Sequence, residues 1–149
     1  MRILLSAIAL LPALLIADAI PSGWTVLKER TGACQIGAPG DFKPDSMSPS
    51  LAKGPGDAME VQIYSSTSPV KPLNETVAKV MGIEKMFENT DKRIFYALKQ
   101  AKVMDGRMIT AWRVTVPRTG GSCFATITLT PAGSEDLARK IAATIGPAK

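Results

Sequence analysis

Two cysteines, Cys34 and Cys123, are the only ones in this chain, and 89 residues separate them. Joined, they would close a single loop around most of the sequence and pin an early strand against a late one. Compartment decides whether they join, because disulfides persist where the surroundings are oxidising. The N-terminus bears on that. Arg2 is followed by an apolar run from Ile3 to Ile16, broken only by Ser6 and Pro12, and then by Ala17-Asp18-Ala19. Small residues at the two positions that a signal peptidase reads make this a secretory leader. The run is shorter than the roughly 20 residues of a spanning helix, and Pro12 weakens it further as a helix. The expectation is a signal peptide over residues 1–19, a periplasmic or secreted mature chain over 20–149, and a Cys34–Cys123 bridge. In the chain-entropy picture a loop of this length contributes at most about 4–5 kcal/mol. No Cys-x-x-Cys is present, which disfavours a redox pair.

The mature region has the size of one domain and is long enough to build a core without a metal. Its strands follow from alternation and turn residues. Trp24 to Glu29 and Cys34 to Ala38 read as a hairpin about Thr31-Gly32, stopped by Pro39-Gly40. Residues 39–57 hold Pro39, Pro44, Pro49 and Pro55 with few large apolar groups, and read as a long Pro/Gly-rich loop. From Ala58 to Ser65, Met59, Val61 and Ile63 alternate with Glu60, Gln62 and Tyr64, the pattern of a half-buried strand. Asn74 is an N-cap with Glu75 in the first turn, and a helix is expected to about Glu88 with Leu73, Val77, Val80, Met81 and Phe87 on one face. Gly82 and Glu84 interrupt that stripe.

Asp105-Gly106 is the strongest hairpin signal, suited to a two-residue turn. That turn sets Met104 opposite Arg107 and Lys99 opposite Trp112. One sheet face then carries Phe95, Ala97, Ala101, Val103, Met108, Trp112, Val114 and Val116. The other, mixed face carries Ile94, Tyr96, Leu98, Lys102, Arg107, Ile109 and Arg113. A second tight turn near Gly120 returns the chain as a strand from Ser122 to Leu129, with Cys123 in the core layer. A last helix is capped by Ser134, lined by Leu137, Ala138, Ile141 and Ile145, and ended by Gly146 as its C′ residue and Pro147. The expected fold is therefore α+β: an antiparallel sheet of about six strands, ordered hairpin, strand, helix, three-strand meander, helix, with two packed helices, in a single domain.

The chemistry is narrowed by what the sequence lacks. There is no histidine, so neither a Ser-His-Asp nor a Cys-His site can be built, and with the cysteines bridged no zinc site remains. The aspartates fall at loops and turns, where they act as turn formers. No catalytic residue, metal ligand or cofactor is expected. Methionine is frequent, and thioethers suit Cu(I). Met104 and Met108 form a candidate pair, but the two-residue turn sets them on opposite faces, so core filling is the better reading. The chain carries 18 Lys+Arg against 13 Asp+Glu. Between Lys92 and Arg118 the only acid among seven bases is Asp105. Lys102, Arg107 and Arg113 beside Tyr96 are the candidate binding residues, for an anionic envelope component or a protein. Charges that protect a sheet face from edge pairing are the plainer explanation. Nucleic acid is not an expected partner.

The element order resembles the Mog1/PsbP-like fold. Similar, too, is the run Gly32-Ala33-Cys34-Gln35-Ile36-Gly37-Ala38-Pro39-Gly40-Asp41-Phe42, a strand ending in Pro followed shortly by an aromatic residue, with Phe42 where that family usually has tryptophan. The closing helix, Leu137 to Ile145, also matches. This resemblance implies a binding or accessory role more than catalysis and assigns no functional residue. The expected function is thus an exported, non-enzymatic accessory or binding protein of the cell envelope. The alternative is a histidine-free hydrolase acting on envelope material, which needs two carboxylates, or Ser and Lys, within hydrogen-bond reach.

Overall fold

A computed structural model describes residues 17–149. The expected signal peptide lies, over residues 1–16, outside the described residues. The chain is mostly β, which corrects the α+β expectation of two packed helices: there is a three-stranded sheet, an eight-stranded sheet and one substantial helix.

The first hairpin forms as the alternation predicts. Strand β1 (Thr25–Lys28) pairs antiparallel with β2 (Cys34–Ala38), and Leu27 and Ile36 face each other in the core. Residues 39–57, expected to be a loop, contain two short strands and a 3-10 turn: β3 (Lys43–Pro44), β4 (Leu51–Lys53) and Pro55–Asp57. Strand β3, at the edge of the sheet, tolerates Pro44 because one of its sides needs no ladder bond. Strand β4 pairs with β5 (Met59–Ser66), and so extends the large sheet. Phe42 is buried and its ring lies against Gly54, where a Cβ would come within 2.8 Å of it.

The expected helix from Asn74 to Glu88 is divided. Asn74 caps α1 (Glu75–Val80), accepting from the Val77 N–H at 2.9 Å. The helix then stops at Gly82, whose φ of +70° is left-handed. Glycine takes that conformation freely and other residues pay strain there. No residue of α1 is buried, and Val80 is 84% exposed. Beyond Gly82 the chain is strand β6 (Ile83–Asn89), an edge strand with two register shifts, paired with β7 (Ile94–Leu98).

Next come β8 (Ala101–Lys102), β9 (Met108–Arg118) and β10 (Gly121–Leu129), with Thr119-Gly120 as the tight turn between the last two. Helix α2 (Glu135–Ala143) starts at its Ser134 cap as expected. It ends at Thr144 rather than at Gly146, which instead joins Pro147 in β11 (Gly146–Pro147), pairing with β2. The buried Thr144 hydroxyl fixes that end: it donates to Ile141 O at 2.7 Å and accepts from Gly37 N–H at 2.8 Å.

The sheets have the orders β1-β2-β11 and β3-β4-β5-β10-β9-β7-β6, with β8 attached to β9. The small sheet and α2 cover one face of the large sheet, where Val61, Ile63, Trp112, Val114, Ala125 and Ile127 form the core with Ile36 and Ile141. Cys34 of β2 and Cys123 of β10 are joined by a disulfide across this layer, with Cα atoms 5.5 Å apart. Strand β5 lies far from β6, so the connection 67–82 must pass β10, β9 and β7. Ser122 Oγ donates to Ser68 O at 2.8 Å, and Asn89 exchanges two 2.8 Å bonds with the Leu73 backbone. The connection therefore runs over the face opposite the disulfide. Ile94 and Tyr96, on that face, are buried.

Candidate functional site

The expected two-residue turn at Asp105-Gly106 is a three-residue loop. Val103 N–H donates to Arg107 O and Gly106 N–H to Val103 O, each at 2.9 Å, and Gly106 has φ +85°. This is the hairpin connection that places a glycine in the left-handed region. Its extra residue shifts the register: Lys102 faces Met108 and Ala101 faces Ile109. Lys99 and Gln100 then take up one more residue, so that Ala97, not Lys99, faces Trp112. The two shifts run the same way and add to two residues, which restores the facing, so Phe95, Ala97, Trp112 and Val114 lie on the core face as the pattern predicts. Between them, at Lys102, the face is inverted, as any one-residue slip requires.

This divides the four candidate binding residues into two pairs. Tyr96 and Arg113 are direct cross-strand partners in a row that continues through Thr126 to Gln62. Tyr96 is buried, which leaves Arg113 as the exposed member. Beside them Tyr64 stacks on Phe124 with ring centroids 4.7 Å apart. Burial pushes the Tyr64 phenol up, the Glu60 charge adds to this, and Arg113 opposes it. Lys102 and Arg107 lie elsewhere, at the end of the large sheet. There Arg107 is held by Asp105, its Nε 2.6 Å from Oδ2. Bonds from the Arg107 backbone and side chain lower the Asp105 pKa in turn.

Lys102 and Arg107 line an open groove of about 1270 Å³ between the β8–β9 hairpin and the 3-10 turn. From the opposite side come Lys53, Gly56 and Asp57, all within the 39–57 segment. An adjoining recess of about 470 Å³ runs along that segment and shares these three residues. Asp57 has φ +53°, the only non-glycine in the left-handed region among the described residues. Such backbone is costly and concentrates at binding sites. The groove carries three cations, Lys53, Lys102 and Arg107, against three anions, Asp57, Glu60 and Asp105. It is not the basic surface that residues 92–118 suggest in sequence.

The acids that sequence reasoning assigned to turns are therefore part of the site. Their proximity was hidden because Asp57 and Asp105 are 48 positions apart and meet only through the β4–β5–β10–β9 ladder. The hydrolase alternative would draw on Asp57, Glu60 and Asp105, of which Asp105 is committed to Arg107. Among the described residues no group of three or more His, Cys, Asp or Glu is placed to hold a metal ion, and no helix is long and apolar enough to cross a membrane.

No protein-family model matches this chain, and no curated protein does. A crystal structure of a protein from Bacteroides thetaiotaomicron VPI-5482 is similar in fold, with a TM-score of 0.57 and 11% sequence identity. The match covers 85% of this chain and 49% of that one, so this chain spans about half the length of the structure it resembles. At that identity the likeness is one of fold.

Proposed function

We propose that this is an exported, non-enzymatic accessory protein of the cell envelope that docks a polypeptide partner in the groove at the end of its large sheet. One observation carries the reading. The two regions that stand out in sequence, the 39–57 segment and the basic hairpin, are remote along the chain yet form the two walls of one groove. Balanced charges suit a protein segment better than a polyanion, and the exposed Met104 and Met108 supply adaptable apolar contact. Export rests on the leader pattern and accords with the disulfide. The sequence resemblance to Mog1/PsbP-like proteins supports an accessory role.

The test is retention on immobilised envelope fraction. Replacing Lys102 and Arg107 by Glu is expected to abolish retention, while Arg113→Glu leaves it intact. Loss with Arg113→Glu alone would move the surface to the sheet face and overturn this reading.

A further inference from the structure

The groove is an opening in the plane of the large sheet, because both faces contribute to it. Met59 and Met108 come from the face that carries Trp112, and Glu60, Thr128 and Ile109 from the other. Its origin lies at the end of β10. The β9–β10 ladder stops at Leu129↔Thr110, although β9 begins two residues earlier, at Met108. Continued in register, the ladder would set Pro131 opposite Met108, and proline has no N–H to donate. The chain instead turns aside at Thr130, whose N–H and hydroxyl bond to Ala58 O at 3.0 and 3.2 Å. Gly133 N–H closes that turn on Thr130 O at 2.8 Å. One residue of β9 is left without its neighbour. Val103 N–H donates to Arg107 O, so Arg107 aims its backbone groups at β8. Successive strand residues aim theirs to opposite sides, so the N–H and C=O of Met108 point into the opening. Among the described residues no strand pairs with Met108 on that side.

We propose that the docked partner enters as an extended segment in the place that β10 leaves, exchanging two backbone hydrogen bonds with Met108. This rests on the docking reading above and specifies how the partner is held. Strands β5 and β9 flank β10, so two strand spacings, about 10 Å, separate them, which admits one extended chain. Main-chain bonds supply attraction that does not depend on the partner's sequence, and side chains alternate between the two faces. The residue opposite Met108 points to the face of Met59 and Met108, where an apolar group fits. Its neighbour points to the face of Ile109, Thr128 and Glu60, beside Lys53, where a polar one fits.

The test uses the same immobilised envelope fraction. Met108→Pro removes the N–H that points into the opening, while Met108→Leu keeps it and nearly conserves volume. Met108→Pro should weaken retention by roughly tenfold, as when a bonded donor is lost, and Met108→Leu should leave it nearly unchanged. Hydrogen exchange of the unaltered protein gives a reading that does not depend on how the proline variant folds. The Met108 amide should exchange quickly in the free protein and roughly tenfold more slowly in the retained one. Equal retention of the two variants, or an unchanged Met108 amide in the retained protein, would overturn the proposal. If that happens while the Lys102/Arg107 double variant still loses retention, the docking groove stands and only the backbone pairing fails. A dimer of the protein alone that Met108→Pro dissolves would give the place to a second copy and overturn a separate partner.

Discussion

Glu29 shows how single side chains secure this fold. It is buried beside the turn between β1 and β2, where the Thr31 hydroxyl and the N–H groups of Thr31 and Ala33 donate to its carboxylate. Burial pushes its pKa up, but these donors, with Ser65, outweigh burial and lower it from 4.5 to about 2. A carboxyl depressed in the folded state stabilises the fold above its unfolded pKa and stops doing so below its folded one. Stability should therefore fall as pH drops from about 4.5 to about 2. Urea unfolding across that range should show the loss in the native protein and a shallower slope in Glu29→Gln. At neutral pH that variant should be less stable by about 1–3 kcal/mol, because the buried charged acceptor is lost and one of its donors faces an amide NH2 instead. Nothing in the sequence marks Glu29. It has no periodic partner, and two of its donors are backbone N–H groups, which every residue but proline has.

The elements that were legible are those whose evidence is local. Alternation over Met59–Ser66 and over Gly121–Leu129, and the Ser134 and Asn74 caps, mark strands and helix starts because the responsible residues are neighbours in sequence. Helix extent was not legible. Leu73, Val77, Val80, Met81 and Phe87 keep a helical spacing, but Gly82 ends α1 and Phe87 belongs to a strand. There Phe87 packs against Phe95 and Trp112, with the Arg139 guanidinium 4.3 Å from its ring centre. That packing comes from three separate elements and outweighs helical propensity. Gly82→Ala tests the boundary. A left-handed non-glycine costs about 1–2 kcal/mol, so urea unfolding should show a loss of that size. An unchanged midpoint would mean that α1 can continue through residue 82. The β8–β9 loop was misjudged by one residue for a similar reason: Asp105-Gly106 fits both a two-residue loop and a three-residue one, and only the ladder beyond it decides.

Across the molecule the disulfide is the tie between layers. It joins β2 of the small sheet to β10 near the centre of the large one, so the hairpin at the start of the domain and the meander near its end hold one core. That layering leaves the far end of the large sheet uncovered, and the groove forms there between the β8–β9 hairpin and the turn at Pro55–Asp57. The charge run from Lys92 to Arg118 was visible in sequence but its meaning was not. Tyr96 and Arg113 lie mid-sheet, Lys102 and Arg107 at the end, and acids from elsewhere offset the latter pair. Photo-crosslinking in envelope extract tests the docking groove most directly, with a photoreactive residue placed at Met104 in one variant and at Arg113 in another. Adducts from position 104 and none from position 113 are expected; adducts from 113 alone would contradict a partner seated at the end of the sheet.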